Sequence, residues 1–206
     1  MNEELKSILE KIRGLSNQYA IRSLSMDEIC LKIGVSKQCL YKHVKGKTDL
    51  VEVVLQNERD SFEEIFTEFS FVNTNAIDIL FIVSREVSRR FLMVNPSVTF
   101  DLAKYYPEIY QKHLLLRSEF IFDKMNINIR KGIQQGMYRP DLSQELVARL
   151  YIRRLMDIHN PEYFPPEKYS FSMLFEVMLE SFVRSIATPE GIAYFEEKKR
   201  NADFAL

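Results

Sequence analysis

The stretch that decides the fold runs from Ser25 to Lys47 and reads SMDEICLKIGVSKQCLYKHVKGK. It opens with a serine followed three residues later by Glu28, which is the spacing of a capping box. In a capping box the serine hydroxyl accepts from the glutamate amide and the carboxylate reaches back. This pattern predicts a short helix over 26–33. Gly34 follows it directly, and glycine most easily takes the positive φ that ends a helix.

The residues after the glycine predict a second short helix. Ser36 is suited to cap a helix that runs to about Val44, because its hydroxyl can accept from a free amide of the first turn. Residues 45–47 close this unit, and a longer helix is predicted to begin near Thr48. The stretch therefore contains two short helices joined by a turn of three to four residues.

The same stretch is unusually basic. Residues 32–47 contain no Asp or Glu, whereas the whole chain has 28 Lys and Arg against 29 Asp and Glu. The positive side chains are Lys32, Lys37, Lys42, Lys45 and Lys47, with His43 beside them. Charge and helix pattern together point to a helix-turn-helix that reads the DNA major groove. A solvated basic turn on an ordinary helical bundle is the alternative that these two signals leave open.

The rest of the chain also has the pattern of helices. Six Gly and seven Pro in 206 residues are too few for a loop-rich β fold, and no segment alternates long enough to predict a strand. Apolar residues at three- and four-residue spacing predict helices over 3–19, 48–69, 76–95, 97–104, 108–135, 143–159, 168–187 and from 189 to about 200. The expected fold class is therefore all-α.

Several classes of protein are disfavoured by composition. Cys30 and Cys39 are too few for a disulfide-stapled scaffold, and neither has a second ligand at metal-binding spacing. The N-terminus has acidic residues and no apolar segment of the kind found in signal peptides, and no apolar run is long enough to span a membrane. We expect a cytoplasmic protein without a metal, and the sequence leaves open whether either cysteine has a redox role.

The basic stretch resembles the DNA-binding domain of TetR-family transcriptional regulators. The resemblance lies in Ile21–Cys30, Gly34–Val44 and Lys47–Leu50, where Gly-Val-Ser is followed by Leu-Tyr and a lysine at fixed offsets. It implies a three-helix domain over 1–62, with the helix-turn-helix motif at about 25–44. It also implies a C-terminal helical domain for ligand sensing and dimerisation over 63–206.

The resemblance further implies a function. Regulators of this type are most often repressors, and a homodimer would read a palindromic operator in the major groove of double-stranded DNA. A small apolar or aromatic molecule bound in the C-terminal domain would release the DNA, and no cofactor is needed. The residues expected at the DNA are Ser25, Ser36, Lys37, Gln38, Cys39, Tyr41, Lys42, His43 and Lys47.

The C-terminal domain yields two further sets of candidates. An effector pocket is predicted at Phe81, Arg85, Phe100, Tyr105, Tyr110, Phe120 and Met125, with Arg85 as the partner of an acidic ligand. Each of these is equally well explained as core, and Arg85 as a surface residue. A dimer interface is predicted at Tyr151, Leu155, Phe171, Leu174, Phe175, Met178 and Phe182, because these faces are wider than one bundle needs. Plain core is again the alternative.

The sequence also bears on two other functional classes. An enzyme is disfavoured because His43, His113 and His159 have no catalytic partners in sequence, and no glycine-rich phosphate loop or metal motif occurs. A helical dimeric interaction protein that has lost ligand response or DNA binding is the remaining alternative. The effector, the operator sequence, the regulated genes and the choice between repressor and activator are not readable from the sequence.

Overall fold

The computed structural model describes residues 3–16, 19, 21–91, 96–158, 160, 162–165 and 167–201; for 16, 91 and 96–100 it describes the backbone alone. The described residues form ten α-helices and one 3₁₀ turn at Ile21–Ser23, and they contain no strand beyond an isolated bridge. The all-α prediction is therefore confirmed. The helices are α1 Glu3–Ser16, α2 Met26–Ile33, α3 Lys37–Tyr41, α4 Lys47–Glu68, α5 Ala76–Phe91, α6 Pro96–Tyr105, α7 Pro107–Gln134, α8 Gln144–Asp157, α9 Phe171–Ile186 and α10 Pro189–Asn201.

The chain divides into two compact units. Unit 1 consists of Met1–Glu64 and Met93–Arg117, and unit 2 of Ile65–Leu92 and Ser118–Leu206. Sequence reasoning places a boundary at residues 62 and 63, close to the division within α4, but it does not assign α6 and the start of α7 to the first unit.

A cation–π contact and an ion pair connect α6 and the start of α7 to the rest of unit 1. The Arg22 guanidinium lies 3.6 Å from the ring centroid of Tyr105, and Lys112 Nζ lies 2.6 Å from Glu52 Oε1. The two residues of each pair are far apart in the sequence, so helical periodicity alone does not predict that they meet.

Unit 2 has its own core, which includes a buried tyrosine. Tyr138 is almost fully buried, and its hydroxyl donates to Asn128 Oδ1 at 3.2 Å. The amide of Asn128 donates in turn to the carbonyl of Ala76 at 2.8 Å, which joins α7 to the start of α5. The ring lies against Gly132, where an added Cβ would come within 2.0 Å of a ring carbon. Glycine is required here because the tyrosine ring occupies the space of a side chain.

Candidate DNA interface

The local structure of α2 and α3 follows the capping pattern of the sequence. The Ser25 hydroxyl accepts from the Glu28 amide at 3.2 Å, and the Ser25 amide donates to Glu28 Oε2 at 2.7 Å. These hydrogen bonds, the backbone one first, hold the pKa of Glu28 below its usual range. Gly34 has φ 67° and ends α2 as expected, and the Ser36 hydroxyl accepts from the Cys39 amide at 3.1 Å. The predicted caps are confirmed.

Helix α3 is shorter than the sequence suggests. It was expected to reach about Val44, but it ends at Tyr41, where the chain turns and the His43 amide donates to the Leu40 carbonyl at 3.0 Å. A helix of five residues has only a small dipole. Side chains rather than the helix terminus must therefore provide most of the attraction to phosphate.

The core of the first helices determines which face of α3 is exposed. Leu40 and Val44 are buried. They pack in a cluster of buried apolar side chains from α1 to the start of α4, namely Ile8, Ile12, Leu15, Leu24, Ile29, Cys30, Ile33, Leu40, Val44 and Leu50. Because Leu40 faces this cluster, Gln38, Tyr41 and Lys42 are exposed, and Tyr41 is 47% accessible. Gln38 and Tyr41 lie on α3 and Lys42 directly follows it, and we call these three side chains the outward face of α3.

Lys37 also lies on the surface, but it has an acidic neighbour from α2. Its ammonium group pairs with the carboxylate of Asp27, and both side chains are more than half exposed. This pairing raises the pKa of Lys37, the hydrogen bond being the main cause. Lys37 reaches a DNA phosphate only by exchanging one anionic partner for another.

Glu4 is a residue of this surface that sequence reasoning missed. Its carboxylate accepts from Cys39 Sγ at 3.4 Å and lies 3.2 Å from His43 Nε2. These contacts, that of His43 first, lower the pKa of Glu4. Glu4 is 35 positions from Cys39, and no local pattern in the sequence signals the contact. Cys39 and His43, both predicted at the DNA, are therefore tied to α1.

The two cysteines lie in different environments. Cys30 is buried, where burial raises the pKa of its thiol, and Cys39 is half-buried, where burial and then Glu4 raise the pKa. A raised pKa reduces the thiolate fraction, and the thiolate is the reactive form of cysteine. The structure thus offers no support for a redox role at either position.

Lys47 makes internal contacts instead of extending outward. Its ammonium group donates to the carbonyls of Arg22, at 2.6 Å, and Leu24. Burial is the main influence on its pKa, which is lowered. The sequence predicts that Lys47 anchors a phosphate, which stays a prediction; in the structure its two hydrogen bonds connect the start of α4 to the turn before α2.

The predicted effector-pocket residues fall into separate groups. Tyr105 and Tyr110 belong to unit 1, whereas Phe81, Arg85, Phe120 and Met125 belong to unit 2. Within unit 2, the rings of Phe81 and Phe195 stack with centroids 5.3 Å apart, and Phe120 meets Phe66 edge-on at 5.5 Å. Met125 is buried and Arg85 is exposed, while the side chain of Phe100 lies outside the described residues. The pocket remains a prediction.

The predicted dimer residues are mostly internal to one chain. The five that are buried are Tyr151, Leu155, Phe175, Met178 and Phe182, while Phe171 and Leu174 are half-buried. Tyr151 and Phe182 pack together with ring centroids 4.7 Å apart, between α8 and α9. Side chains already buried in the protomer offer little area to a partner, and the contact between Tyr151 and Phe182 instead holds α8 against α9.

The same two helices carry a different apolar surface, which sequence reasoning missed. Leu146 and Leu150 on α8 and Met173 and Val177 on α9 are 52–63% exposed. Each pair is spaced by four residues and therefore lies on one face of its helix. We call these four residues the exposed apolar pairs.

The described residues contain neither a metal-binding cluster nor a membrane-spanning helix. No group of three or more His, Cys, Asp or Glu side chains that could hold a metal ion occurs among them. Within the same part of the chain, no helix has both the length and the apolar character needed to cross a membrane.

The fold and the exposed face of α3 define a helix-turn-helix DNA-binding protein. Residues 8–54 match the family described as bacterial regulatory proteins, tetR family. The regulator UidR of Escherichia coli K12 is 22% identical over 197 residues, which cover 90% of this chain and 87% of UidR.

Two solved structures share the fold. Reduced Escherichia coli NemR has a TM-score of 0.68 at 13% identity, and the match covers 91% of this chain and 99% of NemR. AibR, in complex with isovaleryl coenzyme A and operator DNA, has a TM-score of 0.57 at 19% identity, over 89% of this chain and 97% of AibR. Together with the family match over residues 8–54, these findings support the identification of the chain as a TetR-family transcriptional regulator. It is a DNA-binding regulator.

Proposed function

We propose that the protein is a repressor that binds a palindromic operator as a homodimer and leaves it when a small ligand binds. The observation that carries the proposal is the outward face of α3, where Gln38, Tyr41 and Lys42 are exposed above a buried Leu40. A small ligand is supported by AibR, which has the same fold and was solved with both an acyl coenzyme A and operator DNA, so this fold can hold a ligand as well as DNA.

Each exposed side chain of α3 has a distinct role in this proposal. Gln38 can bond adenine through two hydrogen bonds, and Lys42 can bond either guanine or a phosphate. The Tyr41 hydroxyl is suited to a phosphate oxygen, as the family resemblance also implies. Base contacts then specify the operator, while phosphate contacts set orientation and give the binding its salt dependence.

Dimerisation is assigned to the exposed apolar pairs. A palindrome presents two equivalent half-sites about one helical turn apart, which a two-fold dimer matches. Exposed leucine, methionine and valine side chains gain free energy when a second copy removes them from water. We therefore move the proposed interface from the buried faces of α8 and α9 to Leu146, Leu150, Met173 and Val177.

DNA binding is tested with a labelled fragment from upstream of the protein's own gene. The double variant Tyr41→Ala/Lys42→Ala should weaken binding at least tenfold. The control is Lys168→Ala, which removes an exposed lysine between α8 and α9 and should bind as the unchanged protein does. Equal binding by both variants, or none by the unchanged protein, rejects the proposal and favours an interaction protein without DNA binding.

Repression is tested separately with a reporter under the same upstream DNA. Deleting the gene for the protein should raise reporter expression, and restoring it should lower expression again. A fall in expression on deletion would identify an activator instead.

The dimer is tested by sedimentation at micromolar concentration. Leu150→Glu/Val177→Glu should convert a dimer into a folded monomer, because a charge on each helix must be desolvated in the interface. Val72→Glu is the control, since Val72 is a similarly exposed apolar residue outside α8 and α9. A monomer in the unchanged protein, or a dimer that survives the double variant, contradicts the assignment.

A further inference from the structure

Unit 1 contains a buried group of polar side chains that the proposed DNA contacts do not use. Arg59 and Glu58 on α4 meet His113 and Arg117 on α7, and we call these four residues the arginine cluster. Arg59 is 9% exposed and His113 only 2%. Charged residues are rarely buried this deeply without close partners. The function of the cluster therefore depends on which hydrogen bonds and ion pairs its charged groups make.

The protonation state of His113 follows from its contact with Arg59. Arg59 Nη1 lies 3.0 Å from His113 Nδ1, and a guanidinium group can only donate, so Nδ1 must be an unprotonated acceptor. Burial lowers the pKa of His113, and Arg117 and Arg59 lower it further against the opposing effect of Glu58. The imidazole is therefore neutral and adds no charge to the cluster.

The remaining charges of the cluster do not balance. Two guanidinium groups face one carboxylate, since Glu58 Oε1 lies 3.4 Å from Arg117 Nη1 and 3.8 Å from His113 Nε2. The charges that act on His113 come from these same three residues. The cluster thus carries a net charge of +1 in a largely buried place, which is unfavourable unless an anion compensates it.

Arg117 shows where such an anion would bind. Its Nε is buried and finds no hydrogen-bond acceptor among the described residues. The guanidinium carbon lies 4.7 Å from the centroid of the Phe62 ring, which is within the range of a cation–π contact. Its Nη1 is used by Glu58, which leaves the edge formed by Nε and Nη2 without a protein acceptor among the described residues. This edge has the fork geometry that binds both oxygens of a carboxylate.

Arg90 shows that a buried arginine of this chain need not lack an acceptor at its Nε. Arg90 is as buried as Arg117, at 13% against 17% exposure of the side chain, yet it meets two carboxylates. Glu68 Oε2 lies 2.6 Å from its Nη2, and Glu86 Oε2 lies 3.7 Å from its Nε. Arg90, which is buried to a similar degree, thus has an acidic partner at both positions.

Tyr110 adds a neutral donor beside the cluster. Its ring stacks near His113 with centroids 6.3 Å apart. Burial raises the pKa of Tyr110, and Arg117 and Glu58 are close enough to influence it as well. The hydroxyl therefore keeps its proton at neutral pH and can donate to an anion near Arg117.

We propose that the arginine cluster is the binding site of a small organic carboxylate, held by the free edge of Arg117 and by the Tyr110 hydroxyl. A single carboxylate matches the charge of +1, and the Phe62 and Tyr110 rings favour an apolar body. The proposal names the ligand class for the ligand release described above and depends on that function only for its biological consequence. It replaces Arg85 as the anion partner, because Arg85 is exposed and already solvated.

The binding test compares carboxylates with amides of the same shape. Acetate, hexanoate and benzoate are titrated into the full-length protein without DNA by calorimetry at neutral pH, alongside acetamide, hexanamide and benzamide. At least one acid should bind ten times more tightly than its amide. Equal affinities in all three pairs, or no binding by any acid at 10 mM, overturn the proposal.

Two variants and a control locate the site. Arg117→Gln should weaken binding of the best acid at least tenfold, whereas Arg85→Gln should change it less than twofold. Tyr110→Phe removes only a hydroxyl, should keep the fold, and should weaken binding several-fold. Equal loss with Arg85→Gln, or full binding by both Arg117→Gln and Tyr110→Phe, rejects the site.

A spectroscopic readout is independent of these variants. The chain has three histidines, so the ring nitrogen signals of His113 can be resolved by NMR. The acid should shift the His113 signals and leave those of His43 unchanged, and the opposite result rejects the location.

Operator release is measured last. If the acid binds at the cluster but operator affinity is unchanged, the site stands and ligand release is rejected. If the protein fails to bind DNA at all, the calorimetric result is unaffected.

Discussion

Lys42 and Lys47 are both expected at the DNA from the sequence, but the structure gives them different roles. Lys42 is exposed after the end of α3, whereas the Lys47 ammonium group donates to the carbonyls of Arg22 and Leu24. We therefore predict that Lys47→Met lowers the stability of the fold and that Lys42→Met lowers affinity for DNA.

The size of the stability effect follows from the two hydrogen bonds of Lys47. A hydrogen bond from a charged donor contributes about 1.5–3 kcal/mol when it is buried. One of these bonds is exposed and the other only partly buried. Burial lowers the pKa of Lys47, which means that desolvation offsets part of the gain. About 2 kcal/mol remains for the pair, equivalent to a fall in Tm of about 4–8 °C in a chain of this length.

The size of the DNA effect follows from counterion release. Each phosphate contact adds about 0.9 to the slope of log affinity against log salt concentration. Lys42→Met removes one contact per protomer and should reduce the slope by about 1.8 in a dimer. Its Tm should stay within about 1 °C of the unchanged protein, as expected for an exposed side chain.

The two variants are compared by thermal unfolding, followed by circular dichroism, and by fluorescence anisotropy with labelled operator at several salt concentrations. Each variant serves as the control for the other. The reasoning is refuted if Lys47→Met unfolds at the unchanged temperature while reducing the salt slope, because Lys47 would then act on phosphate alone.

Three further substitutions test the fold and the surface near α3. Gly132→Ala places a methyl group against the Tyr138 ring and should cost about 1–3 kcal/mol in urea unfolding; an unchanged midpoint would contradict the packing. Tyr138→Phe leaves Asn128 Oδ1 without its donor and should cost about 1–3 kcal/mol by the same assay, with no loss meaning that the bond is unimportant. The pKa of Glu4 is lowered, chiefly by His43, so the stabilisation by its carboxylate is complete above the usual carboxyl range and is lost as pH falls through the lowered pKa. The difference in Tm between the unchanged protein and Glu4→Gln should therefore shrink between about pH 5 and about pH 3, and a constant difference would exclude the contact.

The helices could be predicted because their signals are local. The segment 108–135 was expected as one helix, and α7 occupies Pro107–Gln134. The capping serines and Gly34 define the turn between α2 and α3 through bonds that span only three to five residues. Such contacts depend on neighbours in the sequence, so the sequence contains the information needed to infer them.

Contacts between residues far apart in the sequence decide which helix faces are covered and which are exposed. These contacts could not be predicted from the sequence for that reason. On α8, Tyr151 and Leu155 are buried while Leu146 and Leu150 are exposed, although all four are apolar. Periodicity shows that a helix has apolar faces, but the packing of α9 decides which face is covered. The same applies to Arg59 and His113, which are 54 positions apart and would be placed on the surface by residue type alone.

Positive charge is concentrated in the N-terminal part of the chain. Residues 1–47 have nine Lys and Arg against five Asp and Glu, a net charge of +4, and the rest of the chain has −5. This distribution attracts DNA to one end of the sequence, but Asp27 and Glu4 stand directly beside the basic surface.

The two acidic residues should respond differently when DNA binds. The Lys37–Asp27 pair is exposed on both sides, and such pairs contribute only about 0–1 kcal/mol, so a phosphate can replace Asp27 at little cost. His43 is largely buried against Glu4, with 14% of its side chain exposed, and would have to leave that contact to reach a phosphate. We therefore expect Lys37 to join Gln38, Tyr41 and Lys42 at the operator while His43 continues to connect α3 to α1.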